Sequence, residues 1–189
     1  PSTALDVNGE INANLLNIND KTLLANGVNM TQTGTIGGSF TSDGVFDFNE
    51  SSGSWARGFL SSSTYKRKAG LTLEFTVDTK DITTAQHDYI MIGWGSNSFV
   101  GNTWKKFSHG IYLARGTNAT NVPLSIHHSS NTALTSNTGY STGITFAYTD
   151  IIKFRIVMKE IGADYYYKKN TNNWVQITGF TDTSTNDDL

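Results

Sequence analysis

Apolar and polar residues alternate along much of this chain, and the alternation predicts strands. In Leu71-Thr-Leu-Glu-Phe-Thr-Val-Asp78, residues Leu71, Leu73, Phe75 and Val77 share one face, while Thr72, Glu74, Thr76 and Asp78 share the other. Asp150 to Lys159 repeats the pattern, with Ile152, Phe154, Ile156 and Met158 on one side and Lys153, Arg155 and Lys159 on the other. Wound as a helix, the same apolar residues would scatter around the axis. Tyr89 to Gly95 is apolar on both faces and predicts a central strand covered on both sides. Gly110 to Arg115 and Val122 to His128 are further strands. Pro123 has no amide hydrogen, so it is expected to begin its strand or sit on an edge. Ile161 to Asp164 reads as a turn into Tyr165 to Lys168, and Asn170 to Asn173 as a second turn into Trp174 to Ile177. With the long strand before them, these form a three-strand meander. Gly44 to Asn49 and Ala56 to Leu60 are shorter candidates. Residues 96 to 108 hold Trp104, Phe107 and two lysines without a clean period, and predict a long loop of the kind that carries function.

Nine or ten strands and no helix of consequence predict an all-β, two-sheet antiparallel sandwich or jelly roll. Composition agrees: aromatics make up 12% of the 189 residues and charged residues only 16%, with Ser, Thr, Asn and Gly between the apolar runs. A formal net charge of −2 provides no field to gather nucleic acid, and Lys66-Arg67-Lys68 reads as a solvated loop. No apolar run approaches the ~20 residues that span a bilayer, so no membrane insertion is expected, and no signal-peptide pattern is present. The absence of cysteine removes disulfides, thiolate metal sites and cysteine nucleophiles together.

Two stretches carry a resemblance to known families. "GVFDFNESSGSWARGFL", "KAGLTLEFTVDTKD" and "DIIKFRIVMKEIGADYYYKKNTNNWVQI" resemble, in order and shape, the concanavalin A-like lectin/glucanase superfamily, and within it the laminin G-like sandwiches. The similarity covers residues 35 to 189. It implies a jelly-roll sandwich from residue 30 to 189, and a fold that hosts lectins, glycanases and purely structural modules alike. In that family the meander is followed by a closing strand. Here the sequence reaches Thr183-Ser-Thr-Asn-Asp-Asp-Leu189 instead, so the sandwich is expected to be truncated at its C-terminus or continued in a longer parent chain. The opening "PSTALDVNGEINA" resembles the Pro-x-x-x-Leu-x-Val-x-Gly-x-Ile stretch of bacteriophage tail fibres and tailspikes. Leu5, Val7 and Ile11 supply its apolar positions and Gly9 its turn. It implies that residues 1–29 are a fibre or neck segment.

The resemblance implies that a glycanase of this fold would carry two carboxylates near each other on a concave strand, usually as Glu-x-Asp-x-x-Glu or Glu-x-Asp-x-Glu, where residues i and i+2 share a face. Glu10, Glu50, Glu74 and Glu160 are isolated from one another. Glu74 and Asp78 share a face, but four residues of strand separate them by ~13 Å, more than either glycosidase class uses. No catalytic residue is assigned. His127 and His128 are strand neighbours that point to opposite faces, so they cannot chelate one metal. The acid pairs Asp43/Asp47, Asp78/Asp81 and Asp187/Asp188 lack EF-hand spacing. The resemblance still allows a structural calcium, because lectins of this superfamily often bind one.

Sugar binding needs only a flat aromatic face flanked by amide, hydroxyl or charged groups. Trp104, Asn102, His109, Tyr112, Arg115 and Trp94 form the densest such group, with Trp104 the exposed aromatic. Trp94, beside two glycines on a buried strand, suits the core better than a ligand site, and Trp174 is expected in the core too. At least one ring of Tyr165-Tyr-Tyr167 must face outward. The expectation is a non-enzymatic attachment module of a phage tail fibre or receptor-binding protein, recognising bacterial surface glycans. It would be a homotrimer through its N-terminal segment and located on the virion or extracellularly. The alternatives are a carbohydrate-binding or adhesin module of a secreted bacterial protein, and a structural domain decorating a capsid or fibre.

Overall fold

The computed structural model describes residues 30–34, 38–40, 46–48, 57–61, 65–79, 89–95, 107–114, 121–129 and 138–184. The fibre-like segment 1–29 lies outside them, as does most of the predicted loop. Twelve strands are described: β1 (Met30–Gly34), β2 (Gly38–Phe40), β3 (Phe46–Phe48), β4 (Arg57–Ser61), β5 (Thr72–Asp78), β6 (Tyr89–Gly95), β7 (Phe107–Ala114), β8 (Asn121–His128), β9 (Thr138–Ala147), β10 (Ile151–Met158), β11 (Ala163–Lys169) and β12 (Val175–Ile177). No α-helix occurs among the described residues.

Two four-stranded antiparallel sheets form the body, one ordered β12-β11-β10-β5 and the other β6-β7-β8-β9. β1 pairs with β4 around a β2–β3 hairpin. The alternation seen in the sequence is realised directly in β10: Ile152, Phe154, Ile156 and Met158 are all 0% exposed. Register sets Val77, Phe75 and Leu73 beside Ile152, Phe154 and Ile156, and Tyr167 and Tyr165 beside Phe154 and Ile156 on the other side. The second sheet contributes Ile111, Leu113, Val122, Leu124, Ile126 and Phe146 to the same buried cluster. Phe146 joins the layers, edge-on to Phe154 at 6.0 Å and to Tyr167 at 5.5 Å. The two inner faces therefore make one sandwich core.

Several expectations change. Tyr89–Gly95 is the end strand of its sheet among the described residues, not a central one. Its glycine meets a neighbour instead: a Cβ at Gly93 would strike the His109 carbonyl oxygen at 2.0 Å. Pro123 lies on a central strand, where the β8–β9 register shifts between Pro123 and Ser125, so the bulge absorbs its missing amide. β7 begins at Phe107, inside the stretch expected to be loop. β9 is not apparent in the pattern, because polar Thr142 interrupts its inward residues Tyr140, Ile144 and Phe146; Gly143, whose φ is +72°, lies where the register with β8 shifts.

Candidate functional site

Where a closing strand was expected, the chain after β12 runs as an irregular strap, residues 178–184, against both sheets. Phe180 lies 5.0 Å from the Tyr140 ring of β9, 5.5 Å from Tyr165 of β11 and 6.2 Å from His128 of β8. Beyond it, Asp182 and Ser184 meet His109 of β7 in the interior. Asp182 is only 3% exposed at its side chain, and its carboxylate is saturated with donors. Oδ1 accepts from the Ser184 amide at 3.0 Å and the Ser184 hydroxyl at 2.5 Å. Oδ2 accepts from the Ala163 amide at 3.1 Å and the Tyr165 hydroxyl at 3.2 Å.

His109 is 0% exposed. Its Nε2 lies 2.5 Å from Ser184 Oγ and 3.4 Å from Asp182 Oδ2, and its Nδ1 lies 3.1 Å from Ser108 Oγ. Ser184 gives its hydroxyl hydrogen to Asp182 and Ser108 gives its own to the Trp94 carbonyl at 3.2 Å, so both serines present an oxygen to the ring. Burial outweighs the attraction of Asp182 and pushes the imidazole pKa down to about 4, with Arg67 and His128 adding smaller repulsions. Tyr165 is raised well above 10 by burial and by the Asp182 charge. His128 Nδ1, buried and without a hydrogen bond among the described residues, faces Asp182 Oδ1 at 3.5 Å.

Serine, histidine and aspartate together invite comparison with a hydrolytic triad, and the geometry is different. A triad places serine on one ring nitrogen and the carboxylate on the other. Here Ser184 and Asp182 both lie on the Nε2 side, the serine hydrogen points at the carboxylate, and Ser184 is 0% exposed. The cluster is a polar pin that fastens the strap to the sandwich.

The predicted sugar-binding group does not converge. Trp104, Asn102 and Arg115 lie outside the described residues. His109, expected at the surface, is buried with both ring nitrogens engaged, because its register with Ile111 and Leu113 aims it into the core. Trp94 is its cross-strand neighbour on the same inward face, half-buried against the core and edge-on to Tyr65 at 5.8 Å. Tyr112 lies on the opposite face, half-buried and edge-on to His127 at 5.1 Å. Of the acid pairs considered for calcium, Asp43, Asp81, Asp187 and Asp188 lie outside the described residues. Among the described residues no group of three or more His, Asp or Glu is placed to hold a metal.

Trp174, expected in the core, is only half-buried, and the Arg155 guanidinium lies 4.2 Å above its ring. Arg155 belongs to the outer face of the β12-β11-β10-β5 sheet, in a cross-strand row with Glu74, Tyr166 and Gln176. Its Nε donates to Glu74 Oε1 at 2.5 Å. Strand parity alone signals this row: Arg155 and Tyr166 alternate with residues of the buried face. An open cleft of about 210 Å³, bordered by Lys159, Asp164, Gln176 and Thr178, adjoins it.

No protein-family model, characterised protein or solved structure matches the chain.

Proposed function

We propose that this chain is a non-enzymatic attachment module of a phage tail fibre or receptor-binding protein, recognising glycans on a bacterial surface. The observation that carries the reading is the pairing of a two-sheet antiparallel β body with an opening stretch that resembles a fibre neck. In this reading the sandwich is of the concanavalin A-like jelly-roll type. Residues 1–29 then end a shaft, and trimerisation through them raises weak sugar affinity by avidity, with no need for a deep pocket. The outer sheet row of Arg155, Tyr166 and Gln176, with Trp174 stacked on Arg155, adds half-buried aromatic and hydrogen-bonding groups suited to a sugar surface.

The test is a bacterial glycan array together with incubation on purified surface polysaccharide. Retention of the chain on defined glycans, with the polysaccharide unchanged in size, is the expected result. A silent array at high protein concentration would favour a decoration domain. Release of oligosaccharides would overturn the non-enzymatic assignment.

A further inference from the structure

The outer face of the β12-β11-β10-β5 sheet carries recognition chemistry that its own stability does not use. Arg155 is fixed twice, by its Nε bond to Glu74 and by stacking on Trp174. These contacts occupy Nε and one face of the guanidinium plane. Neither Nη nitrogen has a partner among the described residues. An arginine held this way has already lost its rotamer freedom, so a carboxylate meeting its Nη edge gains charge-assisted bonds at little further entropic cost.

The adjacent row sets Lys168 directly opposite Lys153. Like charges in register weaken a sheet, and Lys168 has no acidic partner among the described residues. Tyr166 stands in the Arg155 row on β11, and among the described residues neither its hydroxyl nor the exposed Gln176 amide has a partner. Aromatic surface, a prepared guanidinium and an uncompensated ammonium thus share one face.

We propose that this face binds an acidic saccharide of the uronic or sialic type. The sugar ring lies on Trp174 and Tyr166, and the carboxylate sits between Arg155 and Lys168. The proposal rests on the glycan-attachment reading and moves its binding site from the loop around Trp104 to the sheet. A neutral sugar would leave the Lys168 ammonium and the Nη edge of Arg155 without an acceptor. A nucleic-acid strand would meet Glu74, Asp78 and Asp164 on the same face, in a chain of net charge −2.

The experiment is calorimetric titration of the whole chain with trigalacturonic acid and with sialyllactose. Each is compared with its neutral counterpart, the carboxyl-reduced trimer and lactose. At least one acidic probe is expected to bind about tenfold or more tightly than its neutral counterpart, the scale of a charge-assisted bond. Arg155→Lys keeps the charge and loses the fork, Lys168→Gln removes the ammonium, and Trp174→Ala removes the ring. Each should lower that affinity about tenfold, while Thr145→Ala on the other sheet leaves it unchanged. Thermal unfolding identifies any variant that fails to fold, and the exposed Gln176→Ala provides a further probe of the same row. Loss of binding in Trp104→Ala, with none in Arg155→Lys or Lys168→Gln, overturns this site and keeps the attachment reading. Silence toward both acidic probes while other glycans are retained overturns the acidic assignment alone, as does equal binding of the neutral counterparts. Silence toward every glycan overturns both. Competition by a single-stranded oligonucleotide at equal affinity overturns the saccharide as the ligand.

Discussion

At the scale of single residues, Asp182 has the most to lose. Its two oxygens take four hydrogen bonds in the interior and face the rings of His109 and His128. Asp182→Asn turns one oxygen into a donor that faces other donors, and should cost about 3 kcal/mol in urea unfolding. An unchanged midpoint would show that the pin is not needed. His109 gives a pH signature of the same cluster. Its folded pKa of about 4 lies below the ordinary value of 6.5, so the unfolded chain takes up a proton that the folded chain refuses. Stability should therefore be complete above pH 6.5 and fall as pH drops toward 4, by up to about 3 kcal/mol from this group. The charged and titratable groups that act on the imidazole are Asp182 on the strap, Arg67 before β5 and His128 on β8. His109→Gln should flatten the fall between those pH values, and an equally steep fall in that variant would assign it to another group.

At the scale of elements, β5 and β10 were legible because one face of each is buried and one is wet, which imposes period two on the residues. β9 was not, since its residues keep their alternation but polar Thr142 interrupts Tyr140, Ile144 and Phe146, and Gly139 and Gly143 dilute the strand-like composition. The strap was not legible either. Its anchors are polar, and only a histidine, a tyrosine and an amide from other elements make Asp182 and Ser184 interior residues. His109 carried a signal that composition hid: it precedes Ile111 and Leu113 by even steps, which places it on their face. Two glycines separate backbone strain from the packing of the strap. Gly162 and Gly143 both have φ of +72°, but a Cβ at Gly162 would strike the Asp182 carbonyl oxygen at 2.1 Å, whereas one at Gly143 meets nothing within 4 Å. Gly143→Ala should cost about 1–2 kcal/mol from the left-handed backbone alone. Gly162→Ala should cost distinctly more and lower the pH sensitivity of His109, because the strap must shift. Equal losses in the two variants would mean that the strap yields without resistance.

At the scale of the whole molecule, the sandwich and the N-terminal segment should separate as folding and assembly units. The described core takes its aliphatic and aromatic residues from β5 to β12, the segments beside them and the strap. If those residues form the end of a shaft, deleting them should leave a cooperative unfolding transition at nearly the same temperature. It should also convert a trimer to a monomer in sedimentation equilibrium. Binding then divides in a way that tests the avidity argument. Single-site affinity for a soluble saccharide should be the same in the full chain and in residues 30–189, because the sites are unchanged. Retention on a surface dense in glycan should fall by a factor of ~100 or more, the range by which linked sites exceed single ones. A full chain that sediments as a monomer would remove the shaft reading and leave an adhesin-like module to account for any sugar binding. Equal surface retention of trimer and monomer would show that the sites cannot engage one surface together, which places them on flanks facing away from the target.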